Sequence, residues 1–239
     1  MGYQQPTPVQ SACIPLLTSE ARDLLALART GTGKTAAFGI PLLNRIDTKA
    51  GLQSLILCPT RELARQVAES IQSLGRVLGI EVATILGGES YQKQFAALRR
   101  NPQVLVSTPG RLVDLMEQKA LSLETVEYLI LDEADEMLSF GFGEALELIW
   151  KSLDGHDYNT WLFSATMSQS IQKIASTHLK TPEVVKLSTT AEPSRVQSFS
   201  AIVYEEDKED ALSLLIKSTP EFYGIVFTQT KKQVAELEI

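Results

Sequence analysis

Seven short and almost wholly apolar runs lie between residues 24 and 187: LLAL (24–27), SLILC (54–58), EVATIL (81–86), QVLVS (103–107), EYLILD (127–132), TWLFSA (160–165) and EVVKL (183–187). Few architectures can use them. A strand that is apolar at consecutive positions must be covered on both faces, which is the situation of a parallel sheet between two layers of helices. The stretches between the runs supply those helices. In 62–78, Leu63, Val67, Ile71, Leu74 and Leu78 recur every three or four residues, the spacing of one helical face. The alternation predicts an α/β fold, and in such sheets ligands gather beyond the carboxyl ends of the strands. The residues that follow each run therefore carry the functional reading.

The pattern changes after the seventh run. STTAEPSRVQS (188–198) is polar and contains Pro193, so it reads as a linker. Two further apolar runs follow, FSAIVY (199–204) and GIVF (224–227), with helical patterns over 206–218 and from near Thr230. The expected division is a first domain at 1–188, a linker at 189–198 and the beginning of a second α/β unit at 199–239. That unit is incomplete, because two strands and two helices cannot cover both faces of their own sheet.

Composition excludes several classes. The net charge of −7 and pI of about 5.0 argue against a generally basic nucleic-acid binder, so any nucleic acid must be held locally. No apolar run approaches the roughly 20 residues needed to span a bilayer. The start, MGYQQPTPVQ, has neither the basic nor the apolar region of a secretion signal. A cytoplasmic protein without membrane attachment is expected. Cys13 and Cys58 sit in apolar surroundings without metal-type spacing, and His156 and His178 are isolated, so packed, reduced thiols and no His or Cys metal site are expected.

The first run is followed by ARTGTGKTAAF (28–38). A glycine-rich turn that ends in Lys and Thr and opens a helix presents backbone N–H groups and a helix N-terminus to phosphates. Lys34 adds a point charge, and Thr35 adds a hydroxyl for Mg²⁺. Ala28 stands where the first glycine of such a loop usually falls, while Gly31 and Gly33 occupy the positions of closest backbone approach. The fifth run ends in Asp132, followed by Glu133, Asp135 and Glu136. Beside a phosphate loop, Asp132 is placed to hold Mg²⁺, largely through water, and Glu133 to take a proton from an attacking water.

Eight segments in order make the chain resemble a DEAD-box ATP-dependent RNA helicase of superfamily 2. GYQQPTPVQ (2–10) is similar to the Q motif, ARTGTGKT (28–35) to motif I, PTRELA (59–64) to motif Ia and Gly87–Gly88 to the glycine doublet. TPGR (108–111) is similar to motif Ib, DEAD (132–135) to motif II, SAT (164–166) to motif III and IVFTQTKKQVAEL (225–237) to motif IV. The resemblance implies a RecA-like domain of the P-loop NTPase type, with ATP and Mg²⁺ as cofactors. RNA and proteins of RNA metabolism are the implied partners.

Roles follow position by position. Gln10 would read the adenine edge, with Tyr3 and Thr7 nearby. Arg29, Thr30, Gly31, Thr32, Gly33, Lys34, Thr35 and Asp135 would complete the nucleotide site. Lys34, Asp132 and Glu133 would act in hydrolysis, with Thr35 and Asp132 on the metal. Ser164 and Thr166 would hydrogen-bond Asp135. RNA would be met by Pro59, Thr60, Arg61, Gly87, Gly88, Thr108, Gly110 and Arg111, largely through backbone amides, so an acidic pI is no obstacle. Nothing after Val226 resembles motif V or motif VI, the latter of which carries arginines that act on the γ-phosphate in this family. The expectation is therefore a helicase core fragment whose own hydrolysis is weak, or alternatively a nucleotide- and RNA-binding module with negligible unwinding.

Overall fold

The computed structural model describes residues 4–187, 199–219 and 221–237. The chain divides into two compact units, Met1–Ser188 and Thr189–Ile239. The predicted linker at 189–198 lies outside the described residues, as does Tyr3.

The first unit runs α1 (Pro8–Ser19), β1 (Leu24–Leu27), α2 (Lys34–Leu43), β2 (Ser54–Leu57), α3 (Arg61–Gly75), β3 (Val82–Ile85), α4 (Tyr91–Leu98) and β4 (Val104–Ser107). It continues with α5 (Pro109–Glu117), β5 (Tyr128–Leu131), α6 (Ala134–Ser139), α7 (Gly143–Leu153), β6 (Asn159–Ser164), α8 (Gln169–His178) and β7 (Glu183–Lys186). Each of the seven apolar runs contains one strand. All pair in parallel in a single sheet of order β3-β4-β2-β5-β6-β1-β7. This is the RecA-like arrangement expected.

The side-chain alternation of a strand explains why apolar runs were required. Leu24, Ala26, Ile56, Trp161 and Phe163 face one core, with Phe38 and Leu42 of α2 and Val67 and Ile71 of α3. Leu25, Leu55, Leu57 and Leu162 face the other, with Leu112 of α5, Trp150 of α7 and Ile171 of α8. The helical pattern at 62–78 forms as α3, and its last residues, Arg76–Leu78, tighten into a 3₁₀ turn closed by Gly79 at φ +72°.

A carboxylate the sequence reading passed over ties three strands together. Asp23, buried just before β1, accepts from Thr160 N at 2.7 Å and from Lys180 N, and its carbonyl accepts from Glu183 N at 3.0 Å. This satisfies backbone donors at the entrances to β6 and β7.

The second unit departs from expectation. It contains a 3₁₀ turn (Glu205–Asp207), α9 (Lys208–Ser218) and α10 (Lys231–Leu237). The runs 199–204 and 224–227 form no strand, and Phe199, Ile202, Ile225 and Phe227 are exposed. A β-branched, apolar segment needs a neighbour's hydrogen bonds to become a strand, and neither run has one among the described residues.

Candidate functional site

Because the strands are parallel, their carboxyl ends share one edge of the sheet, and the predicted residues collect there. The loop after β1 is anchored by Ala28 N, which donates to Ser164 O at 2.9 Å. It turns through Gly31 at φ +73° and Gly33 at φ +89°, left-handed conformations that a side chain would strain, and α2 begins at Lys34. Within it Thr32 Oγ1 donates to Arg29 O at 2.8 Å. Arg29, Thr30 and Gly31 are exposed, and Thr35 is half-buried at the helix start.

β1 and β5 are separated by β6, a span of about 10 Å. Lys34 crosses it. Its Nζ lies 3.4 Å from Asp132 Oδ1 and 4.0 Å from Glu133 Oε1, and Lys34 and Asp132 are both almost fully buried. Lys34 Nζ and Asp132 Oδ1 are close enough for an ion pair, but neither has a hydrogen-bond partner among the described residues. Burial pushes the Asp132 carboxyl above the usual carboxylate range, although Lys34 pulls the other way. Burial likewise raises Glu133, again against Lys34. Glu133 is held at φ 55°, ψ 53°, a left-handed backbone uncommon for a side chain of its size. Cys58, fully buried after β2, has its thiol pushed up by burial and by the nearby Asp132 and Glu133.

The N-terminal turn of α1, with its cap Thr7, closes over this loop. Thr7 N donates to Gln10 Oε1 at 3.0 Å, and Gln10 Nε2 donates to Gly33 O at 3.1 Å. A Cβ at Gly33 would stand 2.6 Å from Gln10 Nε2 and 3.3 Å from Thr7 Oγ1. Gln10 thereby fixes its own orientation, and among the described residues one amide hydrogen and one lone pair of it have no partner.

Beyond β6, Asp135 Oδ2 accepts from Thr166 N at 3.0 Å and from Thr166 Oγ1 at 2.9 Å, and Oδ1 from Ala165 N at 3.4 Å. The expected bond from Ser164 to Asp135 is not made. The Ser164 hydroxyl donates instead to Thr166 O at 2.7 Å, across the bend at Ala165. Ser164 thus shapes the turn that aims Thr166.

The candidate RNA residues occupy the other half of the edge, after β3, β4 and β2, so the two sets meet where β2 pairs with β5. Thr60 caps α3 by accepting from Leu63 N at 3.2 Å, and Pro59 and Thr108 are buried. Gly110 is exposed at the start of α5. Arg61 Nη1 donates to Gly87 O at 3.0 Å, and Gly88 is exposed at φ +80°. Arg111 donates to Glu89 O and lies 4.5 Å over the Tyr91 ring. Glu89, Tyr91 and Gln94 were missed from the sequence, where only their position just past the glycine doublet hints at a role.

Fold and loop together are those of a P-loop protein of RecA-like architecture. The family model described as DEAD/DEAH box helicase matches residues 7–174, and the chain belongs to that family. It is 41% identical over 239 residues to the ATP-dependent RNA helicase CshA of Listeria monocytogenes, covering 99% of this chain and 46% of that protein. The chain thus spans about half the length of that relative. The crystal structure of a DEAD box protein from Methanococcus jannaschii matches with a TM-score of 0.75 at 39% identity, over 97% of this chain and 62% of the other. The S. cerevisiae Dbp5 L327V variant, bound to RNA and ADP BeF3, matches with a TM-score of 0.69 at 34% identity, over 78% of this chain and 47% of that one.

Proposed function

We propose that this chain carries the ATP- and RNA-binding face of an ATP-dependent RNA helicase that acts in the cytoplasm. The observation that carries the reading is the buried Lys34–Asp132 pair, placed between a phosphate-type loop and a strand end, with Lys34 Nζ and Asp132 Oδ1 both lacking a hydrogen bond among the described residues. Buried charges left so are costly, and a phosphate oxygen for Lys34 and a hydrated cation for Asp132 would satisfy both. No cluster of three His, Cys, Asp or Glu among the described residues could hold a metal alone. The cation would therefore be shared between Thr35, Asp132, water and phosphate, as suits Mg²⁺.

Mg²⁺·ATP, when bound, supplies the reactive phosphoryl group and a metal that neutralises charge on its oxygens. The residues do the rest. Lys34 and the amides of Arg29 to Thr35 would seat the phosphates. Gln10 would present its remaining hydrogen and lone pair to adenine, which offers an acceptor and a donor side by side, and Tyr3 and Thr7 would complete that end. Glu133 would accept a proton from water, and its raised carboxyl makes it a stronger base once ionised. Asp135 and Thr166, fastened together, would couple the nucleotide half to the RNA half. RNA would be held along its sugar-phosphate backbone by Thr60, Arg61, Gly87, Gly88, Thr108, Gly110 and Arg111, giving binding tolerant of sequence.

A division of labour is favoured by the unpaired runs 199–204 and 224–227. The 239-residue chain itself binds nucleotide and RNA, while unwinding belongs to the whole protein. The test is single-turnover ATP hydrolysis by the chain and its Glu133→Gln variant, with nucleotide affinity measured alongside. The variant is expected to keep its affinity and to lose at least about 100-fold in hydrolysis. Unchanged hydrolysis would remove Glu133 from the role of base.

A further inference from the structure

The turn after β3 is gripped by its carbonyl groups. Gln94 Nε2 donates to Leu86 O at 2.6 Å, Arg61 Nη1 to Gly87 O at 3.0 Å and Arg111 Nη1 to Glu89 O at 3.2 Å. The Glu89 carboxylate is paired with Arg65 at 2.8 Å. By contrast, the backbone N–H groups of Gly87 and Gly88 donate to no acceptor among the described residues. With the carbonyls of Leu86, Gly87 and Glu89 held by side chains and Gly88 exposed at φ +80°, the turn's free amides are left for an outside acceptor.

Gln94 is central to this grip. It is 1% exposed, and its Oε1 accepts from Arg111 Nη1 at 3.3 Å, so one side-chain amide joins Leu86 O to the arginine that holds Glu89 O. Arg111 is fixed in turn by the Tyr91 ring and by Asp114, 3.5 Å from its Nε. Tyr91 Oη donates to the same Asp114 carboxylate at 2.5 Å. Nη1 and Nε of the guanidinium are thus engaged by the protein, and Nη2 has no partner among the described residues. A buried amide held at both ends is a poor candidate for a surface ligand and a good one for a brace.

We propose that Gln94 is a positioning residue for RNA: with Arg111 it latches the 86–89 turn so that the turn's free amides face a phosphate of single-stranded RNA. This rests on the RNA reading above. Because neutral amides displace no counterion, loss of the latch weakens RNA without changing how strongly salt weakens it.

The experiment uses the 239-residue chain and two variants. Gln94→Met keeps the length without the amide, and Gln94→Asn keeps the amide but is too short to reach both partners. Fluorescein-labelled oligouridine is titrated at several salt concentrations, a fluorescent ATP analogue is titrated with Mg²⁺, and ¹H–¹⁵N heteronuclear NOEs are recorded for Gly87 and Gly88. The expected result is lower NOEs in both variants and RNA binding weaker by about tenfold, the scale of one lost hydrogen-bonded interaction. The salt slope stays parental, whereas loss of a cationic phosphate ligand would flatten it by about 0.7. Nucleotide affinity is unchanged. Unaltered NOEs show that there is no latch, and a flattened slope shows a charge effect. A mobile turn with parental RNA affinity shows that the latch does not serve RNA. Each overturns the proposal. If the parent chain binds no oligouridine, the RNA reading itself falls, and the NOEs still decide whether the latch exists.

Discussion

Replacing Gly33 by alanine tests whether the N-terminal turn of α1 and the phosphate loop act as one piece. The new methyl group would meet Gln10 Nε2 at 2.6 Å and Thr7 Oγ1 at 3.3 Å, at a backbone φ of +89°. The left-handed backbone costs a substituted residue about 1–2 kcal/mol. Displacing Gln10 from Gly33 O removes a hydrogen bond with a net contribution of about 1 kcal/mol. The total, about 2–3 kcal/mol, corresponds to a fall in melting temperature of roughly 4–12 °C for a unit of this size. Thermal unfolding followed by circular dichroism measures it. A double-mutant cycle separates the two contributions. In a Gln10→Ala background the Gln10 clash and the lost bond vanish, leaving backbone strain and the contact with Thr7, so Gly33→Ala should cost about 1 kcal/mol less there. Additive effects, within about 0.5 kcal/mol, would show that Gln10 and the loop are energetically independent and would refute the reasoning.

Two further outcomes are expected. Asp23→Ala leaves the backbone donors of Thr160 and Lys180 without their carboxylate, so urea denaturation should show a loss of about 2–5 kcal/mol, with nucleotide affinity unchanged in the folded variant. Cys13, fully buried with its thiol pushed up to about 11, and Cys58, also raised from its ordinary value by burial, hold little thiolate at mildly alkaline pH. Ellman's reagent should therefore react with neither in the native chain and with both in denaturant; rapid native reaction would contradict the packing.

The sheet was legible because a strand covered on both faces has to be apolar at nearly every position, and seven such runs give seven strands. Lys34, Asp132 and Glu133 were legible for a related reason: a phosphate loop and an acidic strand end are local patterns whose chemistry depends on residue type. Contacts between distant segments were not. Asp23 reads as one more polar residue before a strand, and only the folded chain brings Thr160 and Lys180 to it. Gln94 sits in a helix of ordinary amphipathic pattern, and its partners come from the β3 turn and from α5. Ser164 shows a local limit, since a hydroxyl two residues from its alternative acceptor can turn either way and spacing does not decide which. The runs 199–204 and 224–227 show the converse, where strand-like composition without a partner gives no strand.

The central claim is that the edge formed by Gln10, the Gly31–Thr35 loop and Asp132 is an adenine nucleotide site completed by Mg²⁺. Equilibrium titration of the 239-residue chain with ATP and with GTP, each with Mg²⁺ and with chelator, tests it directly. The account predicts saturable binding of ATP that weakens when Mg²⁺ is removed, and a preference over GTP of at least about tenfold, since guanine offers the wrong edge to the oriented amide of Gln10. Equal affinity for the two nucleotides, or no saturable binding of ATP with Mg²⁺, would contradict it.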